Sequence, residues 1–234
     1  RRRARAPSRP ATGAPWRAVP ARSGAWSPGA SRFSRWRQAG LWQRRFATVP
    51  PHADAEGTIN GAMHAGDGTL VRAPQQAAGA PRGAAAEACG RRPGGCSTTV
   101  PLRAADDQPV MPCVLSPGQR HAALGGEPCM VGGAGQRHGR GRPKHRPGRV
   151  VGDQAYSRRK SRAYLRRFGI RITIPHKVNE HRSGPLNRAI YRMREQGERL
   201  INRLKQNRRR ATRYEKCAAK YRAMWLIAAT LLWL

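Results

Sequence analysis

Acidic residues are the scarcest charged class in this sequence. Its 234 residues include 46 lysines and arginines but 12 aspartates and glutamates, which gives a formal net charge of +34. Residues 1–50 carry twelve arginines and no acid. Such an excess repels itself unless a polyanion neutralises it, so nucleic acid is the leading candidate for a partner. A ribosomal or histone-like protein has the same balance, so charge alone does not choose among these classes.

Cysteine is also sparse, and its spacing excludes common frameworks. The five cysteines form no C-x-x-C pair, which argues against a zinc ribbon and against a disulfide scaffold. His138 and His145 have no partner cysteines at zinc-binding spacing, so we interpret them as solvated loop residues. This pattern fits a reducing compartment.

The sequence has no hydrophobic run long enough to span a bilayer. The apolar stretch AMWLIAATLLWL covers about twelve residues, whereas a membrane-spanning helix needs roughly 20. We therefore expect a buried helix at 223–234 and no membrane partner. The start, RRRARAPSRP, lacks the apolar segment of a secretory signal peptide, which favours a cytoplasmic location.

Composition divides the chain into a short basic region and a longer domain. In 28–46, Phe33, Trp36, Leu41 and Phe46 recur at roughly helical spacing, and Gly40 predicts a break between two short helices. A solvated basic tail with stray aromatics is the alternative. Further predictions are a linker at 47–60, two strands around the turn Ala-Asp-Asp-Gln within 98–115, and a mobile Gly- and Arg-rich loop at 125–149.

From residue 149 the pattern predicts a strand, a helix and a second strand. The run RVVG ends in Asp153, Ser157 is a candidate N-cap for the helix over RRKSRAYLRRF, and Gly169 is a candidate terminator. Alternating isoleucines in GIRITIP then predict a half-buried strand. This is the order of a βαβ crossover, in which a carboxylate at the carboxyl end of a strand is well placed for a site.

A long helix is predicted from about Leu186 to Arg209. Residues taken at 100° intervals give a packed apolar stripe with four other side chains along its rim. The rim residues are Tyr191, Arg194, Glu198 and Lys205. One carboxylate, two cations and a phenol are suitable groups for a metal ion bound to phosphate. An ordinary amphipathic helix with Glu–Arg pairs at i,i+4 spacing is the alternative.

The spacing Tyr191-x2-Arg194-x3-Glu198-x6-Lys205 resembles the Y-R-E-K signature of bacterial insertion-sequence transposases. The surrounding ERLINRLKQNRRRATRYEKCAAKY is similar to the end of the DDE transposases of insertion-sequence family five. Other blocks agree in order along residues 15–222. They are PWRAVPARSGAWSPGASRFSRWRQAGLWQRRF, DGTLVRAPQQAAGA, GGCSTTVPLRAADDQP with LSPGQRH, and GDQAYSRRKSRAYLRRFGIRITIP.

The resemblance implies an α/β fold of the ribonuclease-H-like kind, with a mixed central sheet flanked by helices. Residues 1–55 would be a partial N-terminal helical DNA-binding module with a basic tail, and residues 56–234 the catalytic domain. Asp67 on the first strand, Asp153 at the end of the fourth and Glu198 on the following helix would be the catalytic residues. The residue pattern alone does not single out Asp67, because residues 61–66 lack the apolar content of a central strand.

The resemblance also implies a chemistry and its partners. Asp67, Asp153 and Glu198 would hold two Mg²⁺ ions, for which Mn²⁺ would substitute, and the reaction would be DNA cleavage and strand transfer. Terminal inverted repeats and target DNA would be the substrates, and a homodimer on DNA in the bacterial nucleoid the working form. The DNA-binding residues implied are Tyr191, Arg194, Arg199, Arg203 and Lys205.

Several departures from the family leave a second interpretation open. Gly197 stands where the family has a branched apolar residue, and an interior glycine costs a helix about 1 kcal/mol. Glu195 replaces an asparagine, and the Gly-rich stretch 125–135 replaces a helix. The chain could therefore be a catalytically inactive, basic DNA-binding remnant of a transposase. A ribosomal-type RNA-binding protein is a third possibility.

Overall fold

The computed structural model describes residues 15–55, 62–79, 83, 86–105, 108–109, 114–119, 147–180 and 185–233. Most of the predicted Gly/Arg-rich loop, with His138 and His145, lies outside these ranges. Within them the chain has an α/β architecture, in which helices flank a mixed, open sheet. The fold class expected from the sequence is confirmed at this level.

The secondary structure begins with helices and continues as alternating strands and helices. The α-helices are α1 (Trp26–Gln38), α2 (Leu41–Ala55), α3 (Gln75–Ala78), α4 (Arg159–Arg167), α5 (Arg188–Arg192), α6 (Glu195–Lys205), α7 (Arg208–Ala211) and α8 (Ala218–Leu231). Short 3-10 helices cover Trp16–Ala18, Ala21–Ser23 and Gln154–Tyr156. The strands are β1 (Met63–Arg72), β2 (Gly90–Arg92), β3 (Gly95–Ala105), β4 (Gln108–Pro109), β5 (Ser116–Pro117), β6 (Arg149–Gly152) and β7 (Arg171–Thr173).

The sheet has the order β2-β3-β1-β6-β7, and β4 and β5 pair with β3 outside this path. Strand β1 is antiparallel to β3 and parallel to β6, and β6 is parallel to β7. The predicted strand pair around residues 98–115 is confirmed, since β4 folds back on β3 with Ala105 opposite Gln108. Its second strand is only two residues long.

Strand β1 corrects the expectation that residues 61–66 are too poor in apolar side chains for a central strand. The strand starts at Met63, lies in the middle of the sheet and is mostly buried. Its small residue Ala65 leaves room for α6 to pack closely above it, with Gly197 at the contact. The central position of β1 thus relies on small side chains and not on branched apolar ones.

One face of the sheet is covered by α6 and α8. Leu200 and Leu204 of α6 and Trp225 of α8 pack on Val100 and Leu102 of β3, all almost fully buried. Burial of each such side chain contributes about 1.5–3 kcal/mol. The buried helix predicted from the apolar run near residue 223 is thereby confirmed. Among the described residues, none of the helices combines the length and the apolar character that a bilayer crossing requires.

Helices α1 and α2 pack on the outer side of α8. Phe33 of α1 contacts Met224 and Ile227, and Phe46 of α2 contacts Leu226. The predicted pair of short helices is confirmed, and Gly40 between them has a φ of 67°, which a residue with a side chain rarely adopts. The predicted linker at 47–60 is wrong in its first part, because α2 continues to Ala55.

The predicted strand–helix–strand unit is confirmed as β6, α4 and β7, with both strands parallel. Gly169, at a φ of 68°, ends α4 as expected. The prediction that Ser157 caps α4 is wrong, since Arg158 occupies the N-cap without a side-chain bond. Ser157 instead donates a hydrogen bond to Glu180 and accepts one from Arg162.

The long helix predicted from Leu186 to Arg209 is divided into α5, α6 and α7. Between α5 and α6 the backbone bonds shorten to i→i−3, as in the bond from the Arg194 nitrogen to the Tyr191 oxygen. The apolar stripe is accordingly buried only in α6, from Gly197 to Leu204, whereas Leu186 and Met193 are 38% and 43% exposed. The helical periodicity of the sequence carries no information about packing on the sheet. It therefore does not predict where the chain turns between these helices.

Candidate functional site

Asp67 and Asp153 lie side by side at adjacent strands. Gly66 of β1 and Gly152 of β6 are paired Cα partners in parallel strands, and each aspartate directly follows its glycine. Asp153 keeps an extended backbone, with φ −79° and ψ 175°, so the strand direction continues through it. Because neighbouring strands are about 4.8 Å apart, the two acids have adjacent backbones.

Helix α6 brings Glu198 to the same face of the sheet. A Cβ atom built on Gly197 would lie 3.0 Å from the Cβ of Asp67 and 3.6 Å from that of Ala65. The helix therefore crosses β1 at the position of Asp67, and glycine permits this approach. Glu198 is the next residue on α6, and its side chain is 47% exposed.

The pKa of the Asp67 carboxyl is influenced by both of the other acids, Asp153 and Glu198. Burial, the largest cause, raises the pKa of the Asp67 carboxyl, and the like charges of Asp153 and Glu198 act in the same direction. The backbone N–H of Gly68, which donates to Oδ1 at 2.7 Å, and the charge of Arg194 act against them. Asp67, with only 8% exposure, is therefore a carboxylate that the fold holds at an energetic cost.

Each of the three carboxylates has a protein partner of its own. The Oδ1 atom of Asp67 accepts from Gly68, and Oδ1 of Asp153 accepts from the Ala155 nitrogen at 2.9 Å. Glu198 accepts from Nη2 of Arg194. In the part of the chain that the structure describes, no group of three His, Cys, Asp or Glu side chains is arranged to hold a metal ion as it stands. A cation would have to compete with these donors.

Two of the predicted cationic residues lie at this cluster. Arg194 pairs with Glu198, lies 5.8 Å from the ring centroid of Tyr191, and lowers the pKa of Asp67. Burial lowers the pKa of Lys205, while the charge of Asp67 raises it. Arg194 and Lys205 therefore flank Asp67 closely enough to feel its charge, as a site for phosphate would require.

Arg199 and Arg203 occupy the solvent side of α6. Arg199 is 55% exposed on its side chain and lies 3.9 Å from Glu195, and Arg203 is exposed as well. Their charges do not enter the causes that shift the pKa of Asp67. These two predicted DNA-binding residues thus lie outside the group around Asp67.

Reasoning from the residues alone missed two features of this site. It did not find Asp67, for which the run of small residues before it, ending in Gly66, was an unused signal. It also counted Gly197 only as a weak point of the helix, whereas the contact with Asp67 gives the residue a role in positioning Glu198. A glycine next to an isolated acid on an amphipathic helix was the available indication.

No protein-family model matches the chain, and a search of curated proteins finds no significant relative.

Proposed function

We propose that this protein is a DNA-cleaving and strand-transferring enzyme of the DDE transposase kind, built on a ribonuclease-H-like catalytic domain. One observation carries the proposal. Asp67, Asp153 and Glu198 are the acids that the sequence resemblance selects, and they come from two adjacent parallel strands and the helix above them, close enough to influence one pKa. They are three of only 12 acids in a chain of net charge +34.

The donor set fits hard divalent cations. Mg²⁺ prefers carboxylate oxygens, and the three side chains would supply them once Glu198 and Asp153 exchange their protein donors for the cations. When bound, two such ions would supply activation of the attacking oxygen and relief of charge on the leaving oxygen. The charge density of three neighbouring acids, of which Asp67 is largely buried, favours cation binding over three separate hydrogen bonds.

The remaining residues of the site would bind and orient the DNA backbone. Arg194 and Lys205 would contact phosphate oxygens beside the acids, and Tyr191 would hold the Arg194 side chain and donate its hydroxyl to a phosphate. Arg199 and Arg203 would add affinity from the solvent side of α6. Other cationic residues on the surface that faces the DNA would contribute sequence-independent, salt-sensitive binding. Terminal inverted repeats and target DNA are the proposed substrates, and a homodimer is the proposed working form.

A plasmid-nicking assay tests this proposal. Supercoiled plasmid carrying candidate element ends is incubated with the protein in Mg²⁺, in Mn²⁺ and in EDTA. Asp67→Asn, Asp153→Asn and Glu198→Gln should each reduce nicking by at least about 100-fold, as expected for a lost metal ligand or its orienting partner. Glu195→Gln is the matched control, because Glu195 belongs to the same helix but is 67% exposed on its side chain. Nicking that survives in all three site variants would contradict the proposal.

A catalytically inactive DNA-binding remnant is the second candidate. It is favoured by the finding that the carboxylates of the described chain are each engaged by a protein donor and do not form a ready-made cluster. This candidate expects wild type and all variants to bind DNA equally and to leave plasmid intact in every metal. A thermal melt with Mn²⁺ separates the two, since only a protein with a metal site in its folded state melts higher in the presence of the ion.

A further inference from the structure

A second basic site lies at the edge of the sheet, away from the three acids. A cleft of about 350 Å³ beside the edge strand β7 is lined by arginines from three elements, together with His176 and the segment before α5. The arginines are Arg149, Arg162, Arg166 and Arg171. No acidic residue is among the described residues that line it. The cleft therefore concentrates positive charge in a concave surface.

The arginines divide into structural and uncommitted ones. Arg162 is buried and donates to Ser157, to the Ile174 carbonyl and, at 3.3 Å, to the Pro175 carbonyl. Arg149 donates from Nη1 to the Thr173 hydroxyl at 2.8 Å. Arg166 and Arg171 are exposed, and within the described ranges neither side chain has a carboxylate partner. Two guanidinium groups are thus available to a ligand.

Like charges in the cleft oppose one another. Burial lowers the pKa of Arg162, the charge of Arg166 lowers it further, and Glu180 acts in the opposite direction. The Glu180 carboxylate accepts hydrogen bonds from Ser157 and from the Lys177 nitrogen and lies 3.8 Å from His176. An anionic ligand would reduce the repulsion between Arg162 and Arg166 and would add to the attraction that Glu180 supplies.

The position of the cleft relates it to the candidate site. Arg149 and Arg171 are paired Cα partners at the start of β6 and β7, and Asp153 follows the end of β6. Residues alternate between faces along a strand, so Arg149, Val151 and Asp153 face the same side. Four residues at about 3.3 Å each place Arg149 roughly 13 Å from Asp153.

We propose that this cleft binds the phosphate backbone of DNA beside the candidate site, with Arg166 and Arg171 as its principal contacts. The inference rests on the proposed function for its ligand, since that function supplies the DNA. Its chemistry is independent of cleavage, because bidentate arginine contacts to phosphate need neither a metal nor the three acids.

Salt-dependent DNA binding tests the cleft without any cleavage. A fluorescent duplex of about 30 base pairs is titrated in EDTA by anisotropy from 0.1 to 0.4 M NaCl. Arg166→Gln combined with Arg171→Gln should lower the slope of log K against log salt by about 1.8, or about 0.9 per lost phosphate contact. This corresponds to about 30-fold weaker binding at 0.15 M salt if both proteins bind alike at 1 M.

A matched control removes the same charge from the opposite edge of the sheet. Arg91 and Arg92 are exposed on β2, the other end of the sheet path, so Arg91→Gln with Arg92→Gln should leave the slope within about 0.5 of the wild-type value. Arg166→Lys with Arg171→Lys keeps the charge and should retain most of the slope. Melting curves for all variants establish that they fold.

The outcomes separate this inference from the proposed function. Three results would contradict the proposal that the cleft binds DNA. They are an equal loss of slope in both glutamine double variants, no loss in either, and tighter binding of duplex RNA than of duplex DNA. Loss confined to the Arg166/Arg171 variant supports it, even if wild-type protein fails to nick plasmid in Mg²⁺. If nicking requires the three acids, and the Arg166/Arg171 variant changes neither the nicking nor the slope, then the cleft proposal is wrong and the proposed function stands.

Discussion

At the scale of single residues, the carboxyl of Asp67 is buried, which disfavours its charge, and yet it lies beside cations that favour that charge. Its carboxylate is surrounded by β1, β6 and α6, and burial and the two neighbouring acids disfavour its charge. The folded protein nevertheless places the carboxylate close enough to Arg194 and Lys205 for their charges to interact. Such a residue is better explained by a ligand that needs the negative charge than by stability.

Asp67→Asn should therefore stabilise the metal-free protein at neutral pH. The folded state raises the pKa of Asp67, so the cost of its ionisation builds up as the pH rises above the ordinary aspartate value and is complete above the folded-state pKa; the neutral amide escapes that cost. We expect a melting temperature about 2–4 °C above wild type at pH 7 in EDTA, which corresponds to about 1 kcal/mol. The difference should disappear below the ordinary aspartate pKa of 3.8.

Glu195→Gln is the control for this comparison, since it removes an exposed carboxylate from the same region. Its melting temperature should follow that of wild type at both pH values. A destabilised Asp67→Asn protein at pH 7 would contradict the interpretation that burial dominates at this position.

Glu180 should show the opposite dependence on pH. The hydrogen bond from Ser157 is the largest cause that lowers the pKa of its carboxyl, followed in that direction by the Lys177 nitrogen, Arg162 and His176. A lowered pKa means that the contribution is present above the unfolded-state value of about 4.5 and is lost as the pH falls through the folded-state value. Glu180→Gln should lower the melting temperature at pH 7, and the difference from wild type should shrink as the pH falls below about 4.5. A gap that widens at low pH would refute this assignment.

At the scale of elements, the crossing of α6 over β1 determines the geometry of the candidate site. The contact depends on the absence of a side chain at Gly197, which lies directly above Asp67. Glycine in the interior of a helix is unfavourable by itself, so the helix keeps it for the close approach. The register of α6 against β1 in turn places Glu198 beside the two aspartates.

Gly197→Ala tests this close approach. An exposed helical glycine replaced by alanine gains about 1 kcal/mol, whereas here the added carbon must displace Asp67 or the helix, and overpacking costs about 1–3 kcal/mol. We expect net destabilisation in urea unfolding and loss of any Mg²⁺-dependent nicking. Gly79→Ala is the control, because a Cβ at Gly79 meets no atom within 4 Å. Stabilisation by Gly197→Ala would contradict the crossing.

The helices and strands also show which parts of the fold can be predicted from the sequence. Periodicity and turn residues predicted β6, α4 and β7, because isoleucine alternation and Gly169 are local signals. They did not predict β1, where small Ala65 lies beneath Gly197 of α6, because that contact is tertiary and not local. They also did not predict the turn at Arg194, because the packing of α6 on the sheet ends a pattern that is helical by local preference. Asp153 and Glu198 were accessible from the residues, and Asp67 only through the family resemblance.

At the scale of the whole molecule, α8 joins the sheet to the N-terminal helices. Trp225 and Tyr221 contact the sheet cluster, and Met224, Leu226 and Ile227 contact α1 and α2. From Ala223 to Ala229 the helix is buried on all sides, as the apolar sequence of this stretch implies. Removal of packing at α8 should therefore affect both parts of the chain together.

Trp225→Ala should destabilise the protein by about 3–5 kcal/mol, the range for deletion of a large aromatic side chain from a core. Because α8 serves both parts, far-UV and near-UV circular dichroism should lose signal in one transition. Trp26→Ala is the control, since Trp26 is 39% exposed, and it should cost less than about 1 kcal/mol. Two separate transitions in the Trp225 variant would mean that the N-terminal helices fold independently of the sheet.

The position of α8 has a consequence for synthesis on the ribosome. Phe33 is translated early, but its packing partner Ile227 follows roughly 190 residues later, so at about 5–20 residues per second the contact waits roughly 10–40 s. Throughout that interval the nascent chain presents unpaired arginines and an uncovered sheet face to the surrounding RNA. We therefore expect the nascent chain to be held by another factor, or by a polyanion, until α8 is available for packing.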